Sequence, residues 1–72
     1  MGETDPTELI REGRLHQKAG RYGTAEKAYL AAQSLYEARG SQADVALCQN
    51  NLGGLYYRLG RMKEAFDAFT HA

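Results

Sequence analysis

Apolar and small residues recur along this chain at three- and four-residue intervals, the period of an amphipathic helix. From Gln42 onward the stripe is Val45, Cys48, Leu52, Leu55, Tyr56 and Leu59. An earlier stretch carries Tyr22, Ala25, Ala28, Tyr29, Ala32, Leu35 and Tyr36, and a later one Met62, Ala65, Phe66 and Phe69. Strand-like alternation is nearly absent. The pattern predicts four helices, over about 6–19, 22–39, 42–59 and from 62 to Ala72. Asp5 can cap the first, with Pro6 at its first position and Glu8 completing the pattern of a capping box. Ser41, followed by Asp44, repeats the start signal before the third. Gly20, Gly40 and Gly60 supply the stops. Links of two or three residues force consecutive helices into antiparallel neighbours.

The helices are not independent, because the chain echoes itself at a distance of forty residues. Gly13, Leu15, Gly20, Arg21, Ala25, Ala28 and Ala32 fall on Gly53, Leu55, Gly60, Arg61, Ala65, Ala68 and Ala72. Such an echo is the mark of stacked helical repeats. It divides the chain into a tail at 1–5, a first repeat at 6–40 and a second at 41–72. The first copy is degenerate: Glu12 and His16 stand where the second has Leu52 and Tyr56, as expected of a capping unit with one face in water. The second copy's last helix stops short of its counterpart's length. Gly13 and Gly53 fall mid-helix, where glycine costs about 1 kcal/mol against alanine. A cost repeated at one register implies close helix approach, with Ala25 and Ala65 as the expected small partners.

Composition narrows the function classes. At 72 residues the chain makes one small domain. Nine basic and nine acidic residues cancel, which removes any global electrostatic argument for nucleic acid or an anionic membrane. Cys48 is the lone cysteine, so neither an intramolecular disulfide nor a cysteine zinc site can form. No apolar run reaches the ~20 residues of a membrane helix, and the start lacks the zones of a signal peptide. These features predict a soluble, unanchored, intracellular and cytoplasmic protein. No serine has a base and orienter around it, no phosphate loop is present, and His16 and His71 lie too far apart for a metal pair. The expectation is therefore no enzyme, no metal and no cofactor. Cys48 and His16 read as packing residues, the first in the core and the second half-buried.

Leu52-Gly53-x2-Tyr56 and Ala65-x3-Phe69 resemble the tetratricopeptide repeat pattern W-x2-L-G-x2-Y followed by A-x3-F, with Gln49 in place of the tryptophan. The first repeat matches it less well, through Gly13 and Ala25-x3-Tyr29. The forty-residue period exceeds the family's usual 34 and is similar to the longer repeats of kinesin light chains and the Pins/LGN spindle-orientation adaptors. The resemblance covers roughly residues 8 to 72. It implies an all-α fold of two antiparallel hairpins stacked as a short right-handed superhelix. It also implies a concave groove lined by the first helix of each repeat.

On that register the groove side of the third helix holds Leu47, Asn50, Asn51, Gly54, Tyr57 and Arg58. The first helix contributes Ile10, Arg11, Arg14, Gln17 and Lys18. The candidate peptide-binding set is Arg14, Gln17, Lys18, Asn50, Asn51, Gly54, Tyr57 and Arg58. Its basic sign in a neutral chain suggests an acidic peptide or a C-terminal carboxylate as ligand. The resemblance places at Asn51 an asparagine that grips peptide backbone, although the family's carboxylate clamp for chaperone tails is not matched. An exposed stacking edge is expected at Leu55, Phe66 and Phe69. The first functional expectation is thus an adaptor that binds a partner segment. The second is self-association through that edge, or membership of a longer array. An RNA-binding repeat has only the local basic stripe behind it.

Overall fold

The computed structural model describes residues 5–71, with His71 described in its backbone only. Four helices follow one another: α1 (Pro6–Lys18), α2 (Tyr22–Ala38), α3 (Gln42–Arg58) and α4 (Met62–His71). All bounds fall within a residue of those expected, and no strand occurs among the described residues. Residues 1–4 of the expected tail, and Ala72, lie outside the described residues.

All three turns are built alike. Gly20, Gly40 and Gly60 hold φ of 82°, 71° and 77°, in the left-handed region where a side chain costs energy. The residue after each glycine closes a Schellman motif: Arg21, Ser41 and Arg61 donate their N–H to the carbonyls of His16, Tyr36 and Tyr56 at 2.8, 3.0 and 2.9 Å. The same three residues open the next helix, accepting from Ala25, Val45 and Ala65. One residue therefore ends one helix and begins another. Helices start at residues 22, 42 and 62, so the forty-residue period is two twenty-residue helix-and-turn units.

The cap signals are used differently from expectation. Asp5 accepts from the Thr7 N–H at 3.0 Å, but Glu8 turns to Arg11 at 3.5 Å rather than closing a capping box. The Ser41 hydroxyl donates to the Asp44 carboxylate at 2.5 Å and makes no bond to the helix backbone. Its neighbour took the donor.

Packing runs α1 on α2, α2 on α3 and α3 on α4, in a slab whose Cα extents are 37 × 26 × 12 Å. So thin a slab holds one layer of core. That core centres on α2 through Ala25, Tyr29, Ala32 and Tyr36, flanked by Ile10 from α1 and by Cys48, Leu52 and Leu55 from α3. Cys48 is fully buried, as expected of a small core residue. Leu15 is not: it stands 59% exposed although it echoes the fully buried Leu55. Leu55 corrects the expected stacking edge. Lying in the core, it offers nothing to a neighbour, and the exposed apolar surface at that end belongs to α4.

The nearest neighbours of the mid-helix glycines are aromatic rings. A Cβ at Gly13 would lie 2.6 Å from Tyr29 Cε1, and one at Gly53 would lie 2.6 Å from Phe69 Cε1. The missing side chain admits a ring from the paired helix, sixteen residues on in both repeats. Each ring lies on its glycine, so helix approach is set by aromatic thickness.

Candidate functional site

Because α2 runs antiparallel to both its neighbours, α1 and α3 run in the same direction and leave a cleft between them. The cleft encloses about 320 Å³. Two turns of α1 bring Arg14, Gln17 and Lys18 to one wall; Asn50, Asn51, Gly54 and Arg58 on α3 form the other. Helical periodicity explains the grouping, since these positions recur at three and four residues on each helix. Seven of the eight expected binding residues thus meet in one place. Tyr57 does not line it and stands 62% exposed.

The floor is Tyr29, which no reading of helix faces on α1 and α3 could have supplied. Its hydroxyl donates to Gln17 Oε1 at 2.9 Å, fixing a glutamine of the wall from below. Burial pushes the Tyr29 hydroxyl above its ordinary pKa, against a smaller opposing pull from Arg14, so it stays protonated and remains a donor. Gly54 has open space where a Cβ would project.

The cleft is electrostatically one-sided. Arg14, Lys18 and Arg58 line it, and among the described residues no carboxylate does. None of the three is in an ion pair among the described residues. The half-buried Asn51 adds a different imbalance, because its buried side-chain Nδ2 has no hydrogen-bond partner among the described residues. A buried donor left unpaired costs about 1–3 kcal/mol.

A polar cluster behind the cleft was not expected from the sequence. Tyr56 on α3 donates its hydroxyl to Glu26 Oε2 on α2 at 2.6 Å. The Arg61 guanidinium sits 4.6 Å from the Tyr56 ring centroid, approaches Glu26 at 3.8 Å and bonds Glu64. This cluster ties the α3–α4 turn back to α2 and so fixes the second hairpin against the first. One signal was available: the forty-residue echo pairs Arg21 with Arg61 and His16 with Tyr56. In the first turn Arg21 Nε duly reaches back to His16 Nδ1 at 3.1 Å, and His16 is half-buried.

The cluster and the core predict sensitivity to alkali. Burial, helped by the bond to Glu26, pushes Tyr56 from 10.0 up to about 12. Burial, with Asp44 and Glu37 nearby, pushes the Cys48 thiol from 9.0 up to about 11. Raised folded pKa values mean that the unfolded chain loses these protons first. Their stabilisation is complete below about pH 9 and is lost as pH climbs toward 12. Thermal melts should hold steady to pH 9 and then fall. Tyr56→Phe should melt lower at neutral pH, by about 1 kcal/mol for the lost bond, and fall less steeply above pH 10. An unchanged slope in that variant would remove Tyr56 from the account.

Stacked helical hairpins, with glycine-on-ring contacts at one register and a cleft between alternate helices, define a helical-repeat protein. The family model for the tetratricopeptide repeat matches residues 9–72, and the chain belongs to that family. No curated protein and no solved structure shows significant similarity to it. Tetratricopeptide repeats are non-catalytic modules that generally mediate protein–protein interaction. Among the described residues no three His, Cys, Asp or Glu side chains gather as metal ligands, and no helix is long and apolar enough to cross a membrane.

Proposed function

We propose that the protein is an adaptor module that binds an extended, acidic segment of a partner protein in the cleft between α1 and α3. The observation that carries this reading is the cleft's charge: among the described residues, three cations without ion-pair partners and no carboxylate. Carboxylates of a ligand would form charge-assisted hydrogen bonds with Arg14, Lys18 and Arg58. Gln17, Asn50 and Asn51 supply amides, which donate to carbonyls and accept from N–H groups without regard to side chain. Rotation of the Asn51 amide into the cleft, onto a ligand carbonyl, would satisfy its orphan donor. An extended segment has free backbone groups to offer, whereas a helix has already spent its own.

The test is a titration with glutamate-rich, lysine-rich and neutral peptides of equal length at low and high salt. The acidic peptide should bind, and raising ionic strength from about 0.01 M to 1 M should weaken it, since the Debye length falls from about 30 to 3 Å. Binding by only the neutral or basic peptides would remove the charge argument.

A second reading, self-association, is favoured by one surface. Phe66, Met62 and Phe69 on α4 are 72%, 54% and 45% exposed. The echo places Phe66 on Glu26 of α2, the residue that receives Tyr56 from α3 and Arg61 from the α3–α4 turn, so this face corresponds to one that carries a helix in the first repeat. Sedimentation over a range of concentrations should then show association that Phe66→Glu abolishes. A wild-type chain that stays monomeric throughout would end this reading and leave the cleft untouched.

A further inference from the structure

We propose that the groove reads two ligand side chains spaced three residues apart: an acidic one in the basic cleft, and an apolar one in a second cleft toward the N-terminal ends of α1 and α3. The inference rests on the reading that an extended acidic segment binds between these helices. The second cleft, of about 380 Å³, adjoins the first, since Arg14 lines both.

The two clefts differ in what they leave unpartnered. In the second, the polar groups other than the shared Arg14 are already engaged. Thr7 Oγ1 lies 3.4 Å from the Tyr36 hydroxyl, Arg11 pairs with Glu8 at 3.5 Å, and Asp44 accepts from Ser41 at 2.5 Å. Apart from Arg14 at the junction of the two clefts, what remains for a ligand is the aliphatic surface of Leu47, 43% exposed, and of Ile10 beneath it. That surface suits one apolar side chain. In the first cleft the reverse holds: the cations are unpaired, so the acidic side chain belongs there.

The spacing follows from helix geometry. Ile10 and Gln17 lie seven residues apart on α1, as do Leu47 and Gly54 on α3. At a rise of about 1.5 Å per residue, the subsites are about 10 Å apart on both walls. A ligand in the polyproline II conformation rises about 3.1 Å per residue and returns to the same face every third residue, a step of about 9 Å. A β-strand presents one face every second residue, at about 7 or 13 Å, and misses the second subsite. The ligand is therefore an extended, left-handed segment with leucine-like and carboxylate side chains at i and i+3.

Peptides of one composition test this, each with one leucine and two adjacent glutamates in a Gln/Pro background. The leucine is set one, three, five or seven positions from the nearer glutamate, in both chain directions. At spacing three, one direction should bind about tenfold or more tighter than any other peptide, as expected for an apolar side chain that leaves water. Leu47→Asp should erase that preference and keep the weaker binding of a leucine-free acidic peptide. Equal binding at all spacings would overturn the two-site inference while leaving the basic cleft intact. A maximum at spacing seven would overturn it in favour of a helical ligand. No binding by any acidic peptide would defeat the underlying reading itself.

Discussion

Alanine at position 13 is expected to lower the melting temperature by roughly 5–10 °C, whereas alanine at position 53 leaves it unchanged or slightly raised. Both changes remove a mid-helix glycine, which alone is worth about 1 kcal/mol in favour of folding. Both place a Cβ 2.6 Å from an aromatic carbon, which is too close to survive without movement. The difference lies in whether the ring can move. Tyr29 is 1% exposed, forms the floor of the cleft, and is held by its hydroxyl bond to Gln17. Overpacking such a site costs about 1–3 kcal/mol, more than the helix gains. Phe69 is 45% exposed and can swing toward solvent. At about 4–8 °C per kcal/mol for a domain of this size, the two variants should be separable in a thermal melt. A Gly13→Ala/Tyr29→Leu double variant should lose less stability than the sum of the two single variants, because the two sites are coupled by contact. Equal effects at the two glycines would contradict the ring-on-glycine account.

Reversing charge at both Arg14 and Arg58 should abolish binding of an acidic peptide, by about a hundredfold or more, while the melting temperature stays nearly unchanged. Hydrogen bonds to charged groups contribute about 1.5–3 kcal/mol each, and each 1.4 kcal/mol is tenfold in affinity. Both side chains are exposed and neither is in an ion pair among the described residues, so folding has little stake in them. Surface changes of this kind usually move stability by less than about 0.5 kcal/mol. Isothermal titration beside a thermal melt separates the two effects. Binding that survives the double reversal would relocate the ligand away from the cleft.

Helix limits were legible because each depends on one local residue. Gly20, Gly40 and Gly60 take a backbone conformation that other residues resist, and the turns followed from them. The cleft walls were legible for a similar reason: a helix puts residues three and four apart on one face whatever packs against it. Leu55 was misplaced because it sits one residue, about 100° of helix rotation, from the cleft-lining Gly54. Which side of α3 meets α2 and α4 depends on how the helices cross, and no spacing in the sequence states that. Leu15, the echo of buried Leu55, is exposed for a like reason, its register being covered in α3 but not in α1. Tyr29 and the Glu26–Tyr56–Arg61 cluster required knowing which side chains reach across from another helix. Glu26 and Tyr56 are 30 residues apart, so only the packed structure brings them together.

Ligand is expected to enter between α1 and α3. Backbone amide chemical shifts, followed during titration with an acidic, extended peptide, locate it residue by residue. Shifts should concentrate on Arg14, Gln17, Lys18, Asn50, Asn51, Gly54 and Arg58, saturating together with one affinity. Shifts confined to α4 around Met62, Phe66 and Phe69, or none while the peptide is shown to bind, would contradict it.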